Sequence, residues 1–254
     1  MKIVRFLDQG VDTPGVLEGE KVHRVSGDLL GEYRIERDFV LLSEVKLTPP
    51  CVPQKIIGVA INFQGATGLL EGMSEPLVFL KAPTCLVGHN ETIVSPFRDV
   101  NVWGESELAI VIKTRAKNVT REEAGKAILG YTIANDVSAD NIHGWDHHLA
   151  RSKAADTFCP LGPHIETEFD PRGKVIEGYH NGRLLRRGTA DDRIWKDREL
   201  VSLLSAWMTL EPWDVIVTGA PIRVREREFL KDADNFTCRI EGLGELSNEF
   251  RIRR

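Results

Sequence analysis

The run Glu105-Ser-Glu107-Leu-Ala-Ile-Val-Ile112 constrains this chain more than any other stretch, because it sets two carboxylates at the head of a buried strand. Residues 108–112 are apolar and largely β-branched, the pattern of a strand covered on both faces. Side chains two apart on a strand leave the same face, so Glu105 and Glu107 project together. Asp136 follows a second strand-like stretch, Tyr131-Thr-Ile-Ala-Asn135, and can bring a third oxygen to the same point. Three hard oxygens suit Mg²⁺, Mn²⁺ or Ca²⁺ better than zinc. A lone Glu-x-Glu is ordinarily a solvated strand face. Here the charge runs straight into an apolar strand, where it is costly without a cation or a partner.

Further stretches stand in an ordered series with this one: Lys55-Ile-Ile-Gly-Val-Ala-Ile-Asn62, Glu75-Pro-Leu-Val-Phe-Leu-Lys81, Gly130-Tyr-Thr-Ile-Ala-Asn-Asp-Val-Ser138, Lys153, Asp156-Thr-Phe-Cys-Pro-Leu-Gly162, and Met208 through Glu211-Pro-Trp-Asp214 to Gly219. As a set they resemble the fumarylacetoacetate hydrolase superfamily across residues 55–250. The resemblance implies an α+β, mainly β fold, a mixed β-sheet roll preceded by a small N-terminal unit, with domains at 1–52 and 53–254. It implies that Glu105, Glu107 and Asp136 bind Mg²⁺ or Mn²⁺, a site Ca²⁺ can also occupy, and that Lys153 faces the substrate with a lowered pKa. Asn62 and Thr218 are expected beside the substrate, and a homodimer is expected on the same ground.

Departures from the family pattern bear on the chemistry. Hydrolytic members carry a His and a Glu three residues apart that activate water; here the segment reads Asn62-Phe-Gln-Gly-Ala-Thr-Gly68, with Ala66 where the His would fall. Asp140 stands where the family has Arg, and Ala220 where it has Thr. Arg151 and Arg223 are candidates to replace those substrate contacts. His143 and His147 lie in an insert between Asp136 and Lys153 that reads as a lid, and are candidate acids or bases. A zinc site there is disfavoured, since neighbouring histidines converge poorly on one ion and no third soft ligand is near. The implied substrate is a small 2-oxo or enol di- or tricarboxylic acid, chelating the cation through its 1-carboxylate and 2-oxygen. Without the water-activating pair, decarboxylation or enol–keto isomerisation is expected, similar to the homoprotocatechuate branch of 2-hydroxyhepta-2,4-diene-1,7-dioate isomerases and 5-oxopent-3-ene-1,2,5-tricarboxylate decarboxylases. A C–C hydrolase of acylpyruvate type and a non-catalytic member are the alternatives.

Composition narrows the class further. A net charge of -5 leaves no basic stripe for nucleic acid or an anionic membrane. Cys51, Cys85, Cys159 and Cys238 are scattered without a Cys-x-x-Cys, as expected of thiols in a reducing compartment. The start, Met-Lys-Ile-Val-Arg-Phe followed by Asp8 and Asp12, lacks the apolar core of a signal peptide. No apolar run approaches the ~20 residues of a membrane span. A cytoplasmic location is expected.

Local signals place the elements. Residues 1–6 and 14–25 read as short strands with a turn at Glu18-Gly19, and the proline-rich residues 47–53 mark a boundary. Thr120-Arg-Glu-Glu123 is a capping box. Asp197 is expected to cap a helix whose Leu200, Leu203, Leu204 and Trp207 form a core stripe. Asn181-Gly182 predicts a hairpin with both residues at positive φ, and Trp213 predicts a type I turn at Glu211-Pro-Trp-Asp214.

Overall fold

The computed structural model describes residues 1–68, 72–141 and 144–253. Strands dominate, in mixed sheets, as the α+β, mainly β reading expects. The main sheet runs in the order Tyr33–Leu41, Lys21–Gly27, Val11–Glu18, Lys2–Asp8, Cys159–Glu166, Ile128–Asn135, Ser106–Ile112, Val215–Val217, Ile56–Ala60, Leu77–Lys81. Along this path the pairs are antiparallel except Val215–Val217 with Ile56–Ala60. A second sheet holds Arg183–Thr189, Val175–His180, Asn235–Ile240, Gly244–Ile252 and Ile93–Ser95.

The Ser106–Ile112 strand lies between two apolar layers, which is why its sequence is apolar at consecutive positions. Leu108 and Val111 join the layer containing Phe236, Leu246 and Phe250. Ile110 and Ile112 join Ile57, Ile216 and the helix residues Leu200, Val201 and Leu204. All five residues from Leu108 to Ile112 are 0% exposed.

The N-terminal strands form a hairpin over Gly19 and Glu20, with a smaller cluster of Val4, Phe6 and Val22. They are joined to the rest by hydrogen bonding: Lys2 pairs with Glu166 and Ile3 with Ile165, so the main sheet passes through both regions. None of the described helices is long and apolar enough to cross a membrane.

Several local expectations hold and three change. The Thr120 capping box forms, and Asn181 and Gly182 take φ of 49° and 74° between their two strands. Asp197 is the first residue of the helix Asp197–Trp207 and not its cap; its carboxylate accepts instead from buried Arg193 and from the Tyr131 hydroxyl. Trp207, the last residue of the helix, leaves the core stripe and is 58% exposed. Trp213 takes φ 71°, so the turn closed by Asp214 N–H to Glu211 O has the positive third position of type II. Packing of the indole against the main core accompanies that strained backbone.

Candidate functional site

The antiparallel ladder assembles the carboxylates. Ser106 pairs with Asn135, and the register continues outward: Asp136 N–H donates to Glu105 O, while Asn135 Oδ1 accepts from Glu105 N–H. Glu105 and Asp136 thus sit side by side just beyond the strand ends, with Glu107 two residues into its strand. One oxygen from each of Glu105, Glu107 and Asp136 lies within 4.8 Å of the others. That span matches donors around one divalent cation with oxygen bonds of about 2.0–2.6 Å. The donor set, three hard carboxylates with two of them buried, fits Mg²⁺ or Mn²⁺.

Cationic side chains back the carboxylates. Lys153 Nζ donates to Asp136, to Ser138 Oγ at 2.6 Å and to Glu105 Oε2 at 3.4 Å. Lys81, whose side chain is 0% exposed, donates to the other Asp136 oxygen at 2.6 Å. Arg186 pairs with Glu105 Oε1 at 2.5 Å, and Glu107 Oε2 accepts from the Gly219 N–H. Burial works to raise Asp136, but Lys153 and Lys81 outweigh it and hold the carboxyl below its usual value. Among the described residues Glu107 forms no ion pair, and burial, then Asp136 and Glu105, push it well upward against a weaker pull from Lys153. For Lys153 the sequence expectation of a lowered pKa does not hold among these groups. Burial depresses it, but Asp136 and Glu105 outweigh burial and hold the ammonium above its ordinary value.

Lys153 ends the four-residue helix Ala150–Lys153, which enters from Leu149 at φ 61°. Asp146 accepts the Ser152 N–H at 2.6 Å and so anchors that helix. This is the part of the 143–148 insert that the structure ties to the site, and a carboxylate shortly before a helix was the available signal. Lys81 and Arg186 were the other residues that sequence reasoning did not single out.

The carboxylates and Lys153 form the floor of a cavity of about 650 Å³, whose walls include Val59, Ile61, Phe79, Trp103 and residues 220–227. Ala66 also lines it, so the position where a water-activating histidine would stand presents a methyl group. Arg223 lines the cavity. Asn62 and Thr218 are not lining residues. Asn62 donates to Trp195 O and Thr218 O and accepts from Trp195 N–H, while the Thr218 hydroxyl donates to Leu108 O. Both side chains are spent on holding the backbone beneath the site. Arg151 is stacked on Phe97, 4.1 Å from the ring centroid, and His147 is exposed; neither lines the cavity. His143 lies outside the described residues.

Residues 55–251 match the family described as "Fumarylacetoacetate (FAA) hydrolase C-terminal", and residues 1–50 match "Rv2993c-like, N-terminal". The chain is 35% identical to "Oxaloacetate tautomerase YisK" of Bacillus subtilis over 82% of its own length and 74% of the relative's. It is 32% identical to the solved "5-carboxymethyl-2-hydroxymuconate delta-isomerase" of Mycobacterium smegmatis, with a TM-score of 0.91 and full coverage of both chains. It is 26% identical to a maleylpyruvate hydrolase of Sphingobium sp. SYK-6 solved with manganese(II) and pyruvate, with a TM-score of 0.82 and full coverage of both.

Proposed function

The chain belongs to the fumarylacetoacetate hydrolase family, and from that premise we propose that it is a divalent-metal-dependent enzyme interconverting the enol and keto forms of a small 2-oxo dicarboxylic acid. The observation that carries this reading is the convergence of Glu105, Glu107 and Asp136 with a lysine ammonium bonded to one of them. Relatives bearing the names oxaloacetate tautomerase and delta-isomerase support the reaction class, and the relative solved with manganese supports the cation.

Glu105, Glu107 and Asp136 would hold Mg²⁺ or Mn²⁺. Bound there, the cation supplies Lewis-acid stabilisation of negative charge on the substrate's oxygens. Lys153 is the proton carrier: in ketonisation its ammonium protonates C3 while the enol hydroxyl proton leaves to solvent, from which the amine is reprotonated, and in the reverse direction the amine takes the C3 proton and the oxygen regains one. Ser138 Oγ fixes the position of Nζ, and the Phe79 ring, 4.6 Å from it, covers one side. Among the described lining residues, Lys153 and Glu226 are the titratable groups that are neither candidate ligands nor arginines. Ala66 favours isomerisation over hydrolysis, because it offers nothing to activate water. Loss of carbon dioxide from C3 leaves the same kind of charge on the substrate, so decarboxylation is tested alongside. A homodimer carries over from the resemblance and is open to light scattering, and a cytoplasmic location carries over from the scattered thiols.

The test follows oxaloacetate enol absorbance and carbon dioxide release separately, with Mg²⁺ or Mn²⁺ and with EDTA. Metal-dependent acceleration of ketonisation is the expected result. Absence of any metal-dependent change in either signal would overturn the reading.

A further inference from the structure

The cavity carries more positive charge than its carboxylates require. Lys81, Lys153 and Arg186 already match Glu105, Glu107 and Asp136 in number. Beyond them the wall formed by residues 220–227 brings Arg223, Arg225 and Arg227 to the same cavity, with Glu226 the one carboxylate on that stretch. None of these three arginines forms an ion pair among the described residues. Arg227 instead lies over the Trp103 ring at 4.4 Å.

The backbone holds this charge in place. Val224 N–H donates to Leu185 O and Arg187 N–H to Ile222 O, so the wall is stitched to the edge of the Arg183–Thr189 strand. Within that pairing Arg186 and Arg223 are direct bridge partners. Like charges directly opposite each other across a strand pair are destabilising. Burial, and next the proximity of Arg186 and Arg227, depress the pKa of Arg223, with Glu105 opposing them. Arg186 is itself 5% exposed and lines the cavity, yet its Nε has no hydrogen-bond partner among the described residues. Arg186 spends its terminal nitrogens on Glu105 and on Pro221 O, so Arg223 beside it, in no ion pair among the described residues, is the guanidinium open to an anion.

We propose that Arg223, backed by Arg186 and flanked by Arg227, is the specificity-determining residue that binds the substrate carboxylate remote from the metal ligands. The inference rests on the function proposed above and deepens it. The 2-oxo acid end lies at Glu105, Glu107 and Asp136, and the second carboxylate reaches the arginine wall. A planar guanidinium meets a carboxylate through two parallel N–H donors, which a neutral chain end cannot reproduce. The site therefore selects 2-oxo diacids over 2-oxo monoacids of the same length.

Isothermal titration of the Mn²⁺-loaded protein with 2-oxoglutarate and with 2-oxopentanoate tests this, since the two differ in the remote carboxylate. The wild type is expected to prefer 2-oxoglutarate by about tenfold or more, the worth of a charge-assisted hydrogen bond. Arg223→Gln is expected to lose about tenfold in 2-oxoglutarate affinity with 2-oxopentanoate unchanged, and Arg223→Lys to recover part of the loss. Equal binding of the two acids by the wild type, or equal weakening of both by Arg223→Gln, overturns the proposal. Proton exchange at C3 of 2-oxoglutarate, followed by NMR on the same samples, reports the proposed reaction separately. Discrimination without exchange would remove the reaction and leave the anchor, and exchange without discrimination would do the reverse.

Discussion

Glu107 shows how a single side chain links the cation to stability. Its carboxyl is raised above the ordinary 4.5 by burial first and by Asp136 and Glu105 next. The folded protein then holds a proton that the unfolded chain releases at ordinary carboxylate pH, so unfolding gains relative to folding as pH rises above that value. Glu107's share of the melting temperature of chelator-stripped protein, read as wild type minus Glu107→Gln, should therefore fall as pH increases from about 4.5 toward neutrality. Mn²⁺ should reverse the trend, because it favours the ionised carboxylate and is bound with release of a proton. Thermal melts across pH, with and without Mn²⁺, check both signs. Lys153→Ala should slow ketonisation by about 10²–10⁴-fold, the usual worth of a positioned proton donor, with Mn²⁺ binding measured in parallel. Asp136→Asn should weaken Mn²⁺ binding. It should also destabilise the fold by about 3–5 kcal/mol in urea unfolding, since Lys81 is left buried without its charge partner. The three carboxylates were legible because an i, i+2 pair at the head of an apolar strand has few cheap explanations. Lys81 was not, because a lysine ending an apolar strand looks the same whether it reaches solvent or turns inward. Asn62 was misread for a related reason: its partners, Trp195 and Thr218, lie 133 and 156 residues away.

Among the elements, the helix Asp197–Trp207 separates pattern from packing. Leu200, Leu203, Leu204 and Trp207 share one face by spacing, yet Leu204 is enclosed beside Ile57 and Ile216 while Trp207 faces solvent. Leu204→Ala should cost about 2–5 kcal/mol in urea unfolding, and Trp207→Ala should stay within about 0.5 kcal/mol. Equal costs would mean that the helix packs differently from the geometry described. The hairpin at Asn181-Gly182 and the capping box at Thr120-Arg-Glu-Glu123 were read correctly because their chemistry is local and satisfies their own backbones, whereas the cap expected at Asp197 falls on Lys196. The Glu211–Asp214 turn failed on the same local reasoning, since burial of Trp213 against the core accompanies a φ that its residue type disfavours. Long-range packing overrode the local rule.

For the molecule as a whole, the seam between Lys2–Asp8 and Cys159–Glu166 carries its own pH sensor. His164 is buried beside it, its Nε2 has no partner, and burial first, then Lys2, lower its pKa to about 4. The unfolded chain takes up a proton near 6.5 that the folded chain refuses until about 4, so stability is full above that window and declines as pH falls through it. The decline attributable to His164 should reach about 3 kcal/mol, and His164→Gln should flatten it in urea titrations between pH 7 and 4. The family resemblance and the succession of strand and turn signals made the sheet-rich class legible, but which strands adjoin over a sequence separation as large as that of Lys2 and Glu166 is decided by pairing that no local window contains. That same pairing has a practical meaning for anyone dissecting the chain. A fragment beginning after residue 52 would carry Cys159–Glu166 with its outer hydrogen-bonding groups bare at Ile165 and Glu166, an adhesive edge offered to any passing strand. The first segment is in this sense a built-in guard against self-adhesion of the strand that braces Ile128–Asn135, and through it Asp136.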